Sequence, residues 1–239
     1  MGVSYNPKIV SDDLVAVIDA RNPKCVTSST TKINNYVSFG GNVQDFTGSG
    51  LKVLLDSDAG NVISLEGGAF TASSNPFINK YSYSVICWIK YQAGKNANYT
   101  NVWEFDTSDN PSFGYYMRCD TRTTSSPSIL FFVKDHATNS WATDSIITNA
   151  EWENSTTWFC IAVTQAQESE FKTYLNGKLH STVSTSSQDL SDYGDIDQVQ
   201  IGSSSNSGAR LGHFSVYKKV LTASEIKENF EAMRGRFNI

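Results

Sequence analysis

The stretch Trp158–His180 reads WFCIAVTQAQESEFKTYLNGKLH, and its reading decides the fold. A first run of alternating character ends in an acidic turn, and a second run, Phe171 to Leu175, closes on Asn176-Gly177. Asn-Gly between β-rich segments signals a hairpin, because a type I′ turn needs positive φ at both central residues. Working outward, Tyr83, Val85, Cys87 and Ile89 share one strand face, and Ser82, Ser84, Ile86 and Trp88 the other. Further strands are expected at Leu14–Ile18, Leu51–Leu55, Val62–Leu65, Asn101–Phe105, Tyr115–Cys119, Ile129–Lys134, Ser140–Ile147, Val199–Ile201 and Leu211–Tyr217. Strands at this spacing, with turn clusters between them, indicate a sandwich rather than alternating strands and helices. One helix is expected over 222–234. Thr222-Ala-Ser-Glu225 fits a capping box, Ile226, Phe230 and Met233 form one apolar stripe, and Gly235 is placed to end the helix in a left-handed turn.

The bulk numbers suit one large β domain. The chain has 239 residues, 39% of them hydrophobic, enough for a core without staples. Residues 1–24 read as an entry arm and 25–239 as a single sandwich. The net charge of −5 opposes a nucleic-acid partner, which would select a basic stripe. No apolar run approaches the ~18 residues that cross a bilayer, so no membrane insertion is expected. Met1–Asp13 shows neither the basic region nor the continuous apolar stretch of a secretory signal. Cys25, Cys87, Cys119 and Cys160 form no C-x-x-C pair and read as buried free thiols.

The pattern Trp158 … Ala162-Val163-Thr164 … Tyr174-Leu175-Asn176-Gly177-Lys178-Leu179 resembles the signature of the concanavalin A-like superfamily, in its laminin G-like and pentraxin-like branch. The closing pattern Ile201-Gly202 … Gly212-His-Phe-Ser-Val-Tyr217 … Leu221-Thr-Ala-Ser-Glu225-Ile226 … Asn229-Phe230 is similar to that of laminin G-like jelly rolls, although His213 and Ser215 depart from the more usual residues. The opening Leu14–Pro23 and the ending Gly235–Ile239 resemble the ends of such domains in tailed-phage structural proteins. The resemblance implies an all-β, two-sheet antiparallel jelly roll with a short C-terminal helix. It also implies a non-enzymatic virion protein, made in the host cytoplasm and displayed as a capsid decoration, neck or fibre-associated component. Its partners would be other virion proteins, in an oligomer, with weak adhesion to a host-surface or environmental glycan. The alternatives are a secreted carbohydrate-binding module and a glycoside hydrolase.

Four groups of residues bear on chemistry. Trp103-Glu-Phe-Asp106-Thr-Ser-Asp109 resembles the E-x-D-x-(x)-E strand of retaining glucanases, where alternate carboxylates face one cleft. Ser108 and Asp109 stand where the closing glutamate is needed, so no catalytic residue is assigned. Sugar faces stack on exposed aromatics, which points to Trp103, Tyr116 and Trp141 with Asp106, Arg118 and Asp135 as polar partners; the competing role for any aromatic is core packing. Calcium is the one cofactor in view. Asp56-Ser-Asp-Ala-Gly60 looks like half a calcium loop, but its twelfth position is Gly67, and Asp192, Asp195 and Asp197 lie in an acidic loop. Finally, Met1–Asp13 contains Pro7 and lacks periodicity. It reads as an assembly arm that orders against another subunit, with Tyr5 and Ile9 as apolar anchors.

Overall fold

The computed structural model describes residues 8–26, 31–35, 45–50, 52–65, 68–92, 100–107, 110–120, 128–134, 140–148, 152, 156–166, 169–188, 196–202 and 209–239. For 73–78, 100, 106–107, 110–120 and 197 only the backbone is described. Two eight-stranded sheets face each other. In the first, the spatial order is Lys178–Ser184 (β14), Glu170–Leu175 (β13), Trp158–Ala166 (β12), Ser82–Tyr91 (β7), Ala209–Tyr217 (β16), Gly60–Ser64 (β5) and Lys52–Asp56 (β4), with Leu14–Asp19 (β1) beside β16. In the second, the order is Trp141–Ile147 (β11), Ser128–Lys134 (β10), Asn110–Asp120 (β9), Thr100–Thr107 (β8), Ile196–Gly202 (β15), Ala69–Ile78 (β6), Phe46–Ser49 (β3) and Lys32–Ile33 (β2). The described pairings are antiparallel, with sequence-distant strands as neighbours, as in a jelly roll.

The hairpin that decides the fold has the expected turn, with Asn176 at φ 50° and Gly177 at φ 76°. A Cβ on Gly177 would lie 2.9 Å from the Phe230 ring, so this turn also seats the C-terminal helix. Strand β7 divides as its alternation requires. Tyr83, Val85, Cys87 and Ile89 enter the core between the sheets, while Ile86 and Trp88 join a second cluster on the outer face. That second cluster is covered by the helix Ala223–Met233 through Ile226, Phe230 and Met233, and by Phe237. Phe237 stacks on Trp88 at 4.2 Å and 11°. We call this first sheet the covered sheet and the second the open sheet.

The helix starts as expected: Thr222 and Glu225 each accept the other's backbone N–H. It does not end as expected. Gly235 is not left-handed. The chain tightens into a 3-10 turn over Arg234–Arg236, and the positive-φ residue is Asn238 at 58°. This places the Arg236 guanidinium on Asp19, at 2.6 and 2.7 Å, and drives Phe237 inward.

The division at residue 24 is not a structural boundary. Strand β1 pairs with β16 from Leu14↔Tyr217 to Asp19↔His213 and supplies Val15, Ala16 and Ile18 to the inter-sheet core. Ile9 packs on the second cluster of its own domain, while Val10 donates its N–H to Asn229 and accepts from the Tyr217 hydroxyl. The intended anchor Ile9 is therefore spent within the chain, because an outer apolar cluster was waiting to be covered. Tyr5 lies outside the described residues. Strand β14 is the second arm of the expected hairpin, whereas β2, β3 and β6 lie outside the expected set. Strand β6 carries Pro76 among the polar residues Thr71, Ser73, Ser74 and Asn75, so it does not advertise itself.

Candidate functional site

The outer faces of the two sheets differ. The covered sheet is closed by the chain's own helix and C-terminal turn. The outer face of the open sheet carries half-exposed or exposed side chains at Thr71, Gln198, Gln200, Glu104, Leu130, Thr143 and Ser145. Register lines several of these up. Thr71, Gln200 and Glu104 are successive neighbours across β6, β15 and β8; position 116 follows in β9, then Phe132 in β10 and Thr143 in β11. The row changes from amide and carboxylate to aromatic along its length.

At the polar end, the Glu104 carboxylate accepts from Asn101 Nδ2 at 2.6 Å and from Gln200 Nε2 at 3.4 Å. At the aromatic end, Trp141 is 40% exposed. It stands opposite Lys134 in the ladder, meets the Phe132 ring edge-on at 5.8 Å, and lies 5.0 Å below the Lys134 ammonium. Burial pushes the Lys134 pKa below the usual lysine range. An indole face open on one side, backed by a ring and a cation, suits stacking by an apolar sugar face.

The expected glycan residues divide accordingly. Trp141 is on this face. Tyr116 stands in register between Glu104 and Phe132, Arg118 between Asn101 and Leu130, and Asp106 opposite Gln198. Asp135 lies outside the described residues. Trp103 is a correction: it is fully buried between the sheets, tilted against Phe105 at 4.8 Å and Phe131 at 5.6 Å. Its strand carries a register shift between Asn101 and Trp103, and Val102 and Trp103 both turn into the core. Gln200, Asn101, Phe132 and Lys134 were missed. Alternation in β10 carries the signal for two of them, since Ile129, Phe131 and Val133 are core and the residues between face out.

The metal expectations fare differently. Asp197 lies in β15 rather than in a loop, while Asp192 and Asp195 fall outside the described residues. Among the described residues no three acidic, His or Cys groups are arranged to hold a metal. The half calcium loop is filled by protein cations. Lys90 Nζ sits 3.1 Å from both Asp56 and Asp58, Arg210 is 3.1 Å from Asp56, and Trp158 Nε1 donates to Asp56 at 3.3 Å. Burial raises the Asp56 pKa, but the N–H groups of Asp58 and Ala59 and the Lys90 ammonium outweigh it and hold the carboxyl below its usual range. Cys25, Cys87 and Cys160 are buried free thiols, as expected. Burial raises the pKa of each.

Residues 65–227 match the family model for the concanavalin A-like lectin/glucanases superfamily. No curated protein matches the chain. Similar solved structures include the binding domain of botulinum neurotoxin serotype D, at 16% identity and TM-score 0.66, covering 92% of this chain and 52% of that one. The binding domain of Paraclostridial Mosquitocidal Protein 1 is similar at 15% identity and TM-score 0.66, covering 91% and 52%. A structure of botulinum neurotoxin type C, whose cell entry depends on interaction with two ganglioside molecules, is similar at 16% identity and TM-score 0.66, covering 92% and 51%. The chain thus spans about half the length of these solved chains, and the likeness is one of fold.

Proposed function

The chain belongs to the concanavalin A-like lectin/glucanase superfamily, and we propose that it is a non-enzymatic binding domain that holds a glycan across its open sheet. The observation that carries this reading is Trp141, 40% exposed on Phe132 and Lys134 at the end of a polar row. The sugar face stacks on the indole, and hydroxyls exchange hydrogen bonds with Glu104, Gln200 and Thr143. Ganglioside-dependent entry by a structural neighbour supports glycan as the ligand class.

Adhesion rather than hydrolysis follows from Glu104. A retaining glycosidase sets two carboxyls about 5–5.5 Å apart and keeps one protonated. Here Glu104 is engaged by the Asn101 and Gln200 amides, and the closing glutamate that would be its partner is replaced by Ser108 and Asp109.

Affinity per domain is expected near ~1 mM, about −4 kcal/mol, with avidity supplied by many copies. Display on a tailed-phage particle provides those copies, and the resemblance of Leu14–Pro23 and Gly235–Ile239 to phage structural proteins supports it. A glycan array probed with a multimerised protein tests the binding. We expect signal that Trp141→Ala removes while the melting temperature holds; an array silent at every spot sinks the glycan reading. Mass spectrometry of purified particles tests the display, and absence of the chain there sinks it while leaving a secreted module.

A further inference from the structure

Among the described strands the two sheets end on four, β14 and β4 in the covered sheet and β11 and β2 in the open one, while β1, whose one described partner is β16, is buried from Leu14 to Ile18. An edge presents unpaired N–H and C=O groups, and proteins blunt such edges with brevity, charge, proline or cover. Three of these edges are blunted. Strand β2 is two residues long, with Lys32 paired to Asp45 at 2.6 Å. Strand β14 exposes Lys178 and His180. Strand β11 leans across the sandwich on β13 and β14, where the Thr173 hydroxyl donates to Asp144 at 2.5 Å and His180 Nε2 lies 3.2 Å from the Ser145 carbonyl.

Strand β4 is not blunted. Between Lys52 and Asp56 it holds only Val53, Leu54 and Leu55, with no charge and no proline. Its one partner is β5, and no described strand lies on its other side. Leu54 packs on the outer cluster, whereas Val53 is 40% and Leu55 82% exposed. Leu55 is the most exposed large apolar side chain among the described residues.

We propose that β4 joins two copies of this chain, pairing antiparallel to itself about a two-fold axis at Leu54. That register sets Val53 against the partner's Leu55, so the exposed apolar groups cover each other. It sets Lys52 beside the partner's Asp56–Asp58 turn. Asp56 is buried on Lys90 and Arg210, whereas Asp58, which also touches Lys90, keeps its side chain 30% exposed and is the acid that Lys52 meets. A parallel pairing would set Lys52 on Lys52 and one acidic turn on the other. The basic start and acidic end of one strand are thus complementary only in the two-fold arrangement. A two-fold contact uses both patches and stops at a dimer. Five residues a side fall short of the ~1,200–2,000 Å² of a stable interface, so the dimer is a weak one.

The test is sedimentation of the full chain from ~1 µM to ~1 mM, a range that brackets weak association. The expected mass rises from 26.3 kDa toward twice that value, without higher species. The double variant Val53→Lys/Leu55→Lys should remain at 26.3 kDa throughout with an unchanged melting temperature. If the lysines impair folding, Leu55→Ser should weaken association at least tenfold while the protein stays folded. A wild-type chain that is monomeric across the range overturns the proposal. So does a dimer that survives these substitutions, or one lost only when residues 1–7 are removed.

Discussion

His213 is 3% exposed, and its Nδ1 has no hydrogen-bond partner. Burial, with help from the Arg236 cation and against the pull of Asp19, pushes its pKa down to about 4. An unfolded histidine titrates near 6.5. Between those values the unfolded chain binds a proton that the folded chain refuses. The stability contribution is therefore full above about pH 6.5 and lost as pH falls toward 4, on the order of 3 kcal/mol. Asp19 acts in the same direction lower down, since its pairing with Arg236 holds its pKa below the usual carboxylate range despite burial. Urea unfolding at pH 7 and pH 4.5 should show this loss, and His213→Gln should flatten it; an unchanged difference would exclude His213 as the source. Gly212, its neighbour, is needed for space: a Cβ there would lie 2.4 Å from Phe237 Cε1 and 3.1 Å from Trp158 Cζ3. The Phe237 ring is stacked on Trp88 and has nowhere to yield, so Gly212→Ala should cost about 1–3 kcal/mol in chemical denaturation.

At the scale of the element, the C-terminal helix is the lid of the covered sheet. Its N-terminus is held by the reciprocal bonds of Thr222 and Glu225, and Lys219 lies 2.8 Å from the Glu225 carboxylate. Lys219 first, then the Thr222 N–H, lowers the Glu225 pKa. Thr222→Ala should cost about 1 kcal/mol, read as a shift of the unfolding midpoint. A neutral result would mean that packing of Ile226 and Phe230 alone sets the helix. The same helix also answers to the hairpin, since Phe230 lies over Gly177 and stacks at 5.7 Å on Trp88.

For the whole molecule, the consequence of two clusters is that Ile9 and Val10 are structural, as is the C-terminal turn. Deleting residues 1–10 removes the packing of Ile9 and Val10 and leaves the Asn229 side-chain Oδ1 without the Val10 N–H. We expect a folded protein less stable by about 2–3 kcal/mol, measured by chemical denaturation. A variant as stable as the full chain would mean that the arm is dispensable to the domain and would return it to assembly. Circular dichroism of the full chain should show mainly β signal with a small helical part.

By itself the sequence determined what depends on local rules. Period-two alternation in β7 separated the two clusters, Asn176-Gly177 set the hairpin, and Thr222-Ala-Ser-Glu225 set the start of the helix, because each rests on backbone geometry within a few residues. Tertiary structure decided what depends on which face is already occupied. Trp103 and Trp141 are the same residue type in strands of the same sheet, yet a register shift turned the first into the core and an edge strand left the second in solvent. Gly235 could have been left-handed, but Asp19 drew Arg236 and the Trp88 face drew Phe237, so the turn tightened instead. Ile9 looked like a hook for a neighbour, and the outer cluster of its own sheet was nearer. Burial is a property of the assembled sheets, and strand alternation states only that two faces exist, not which of them the rest of the chain will cover.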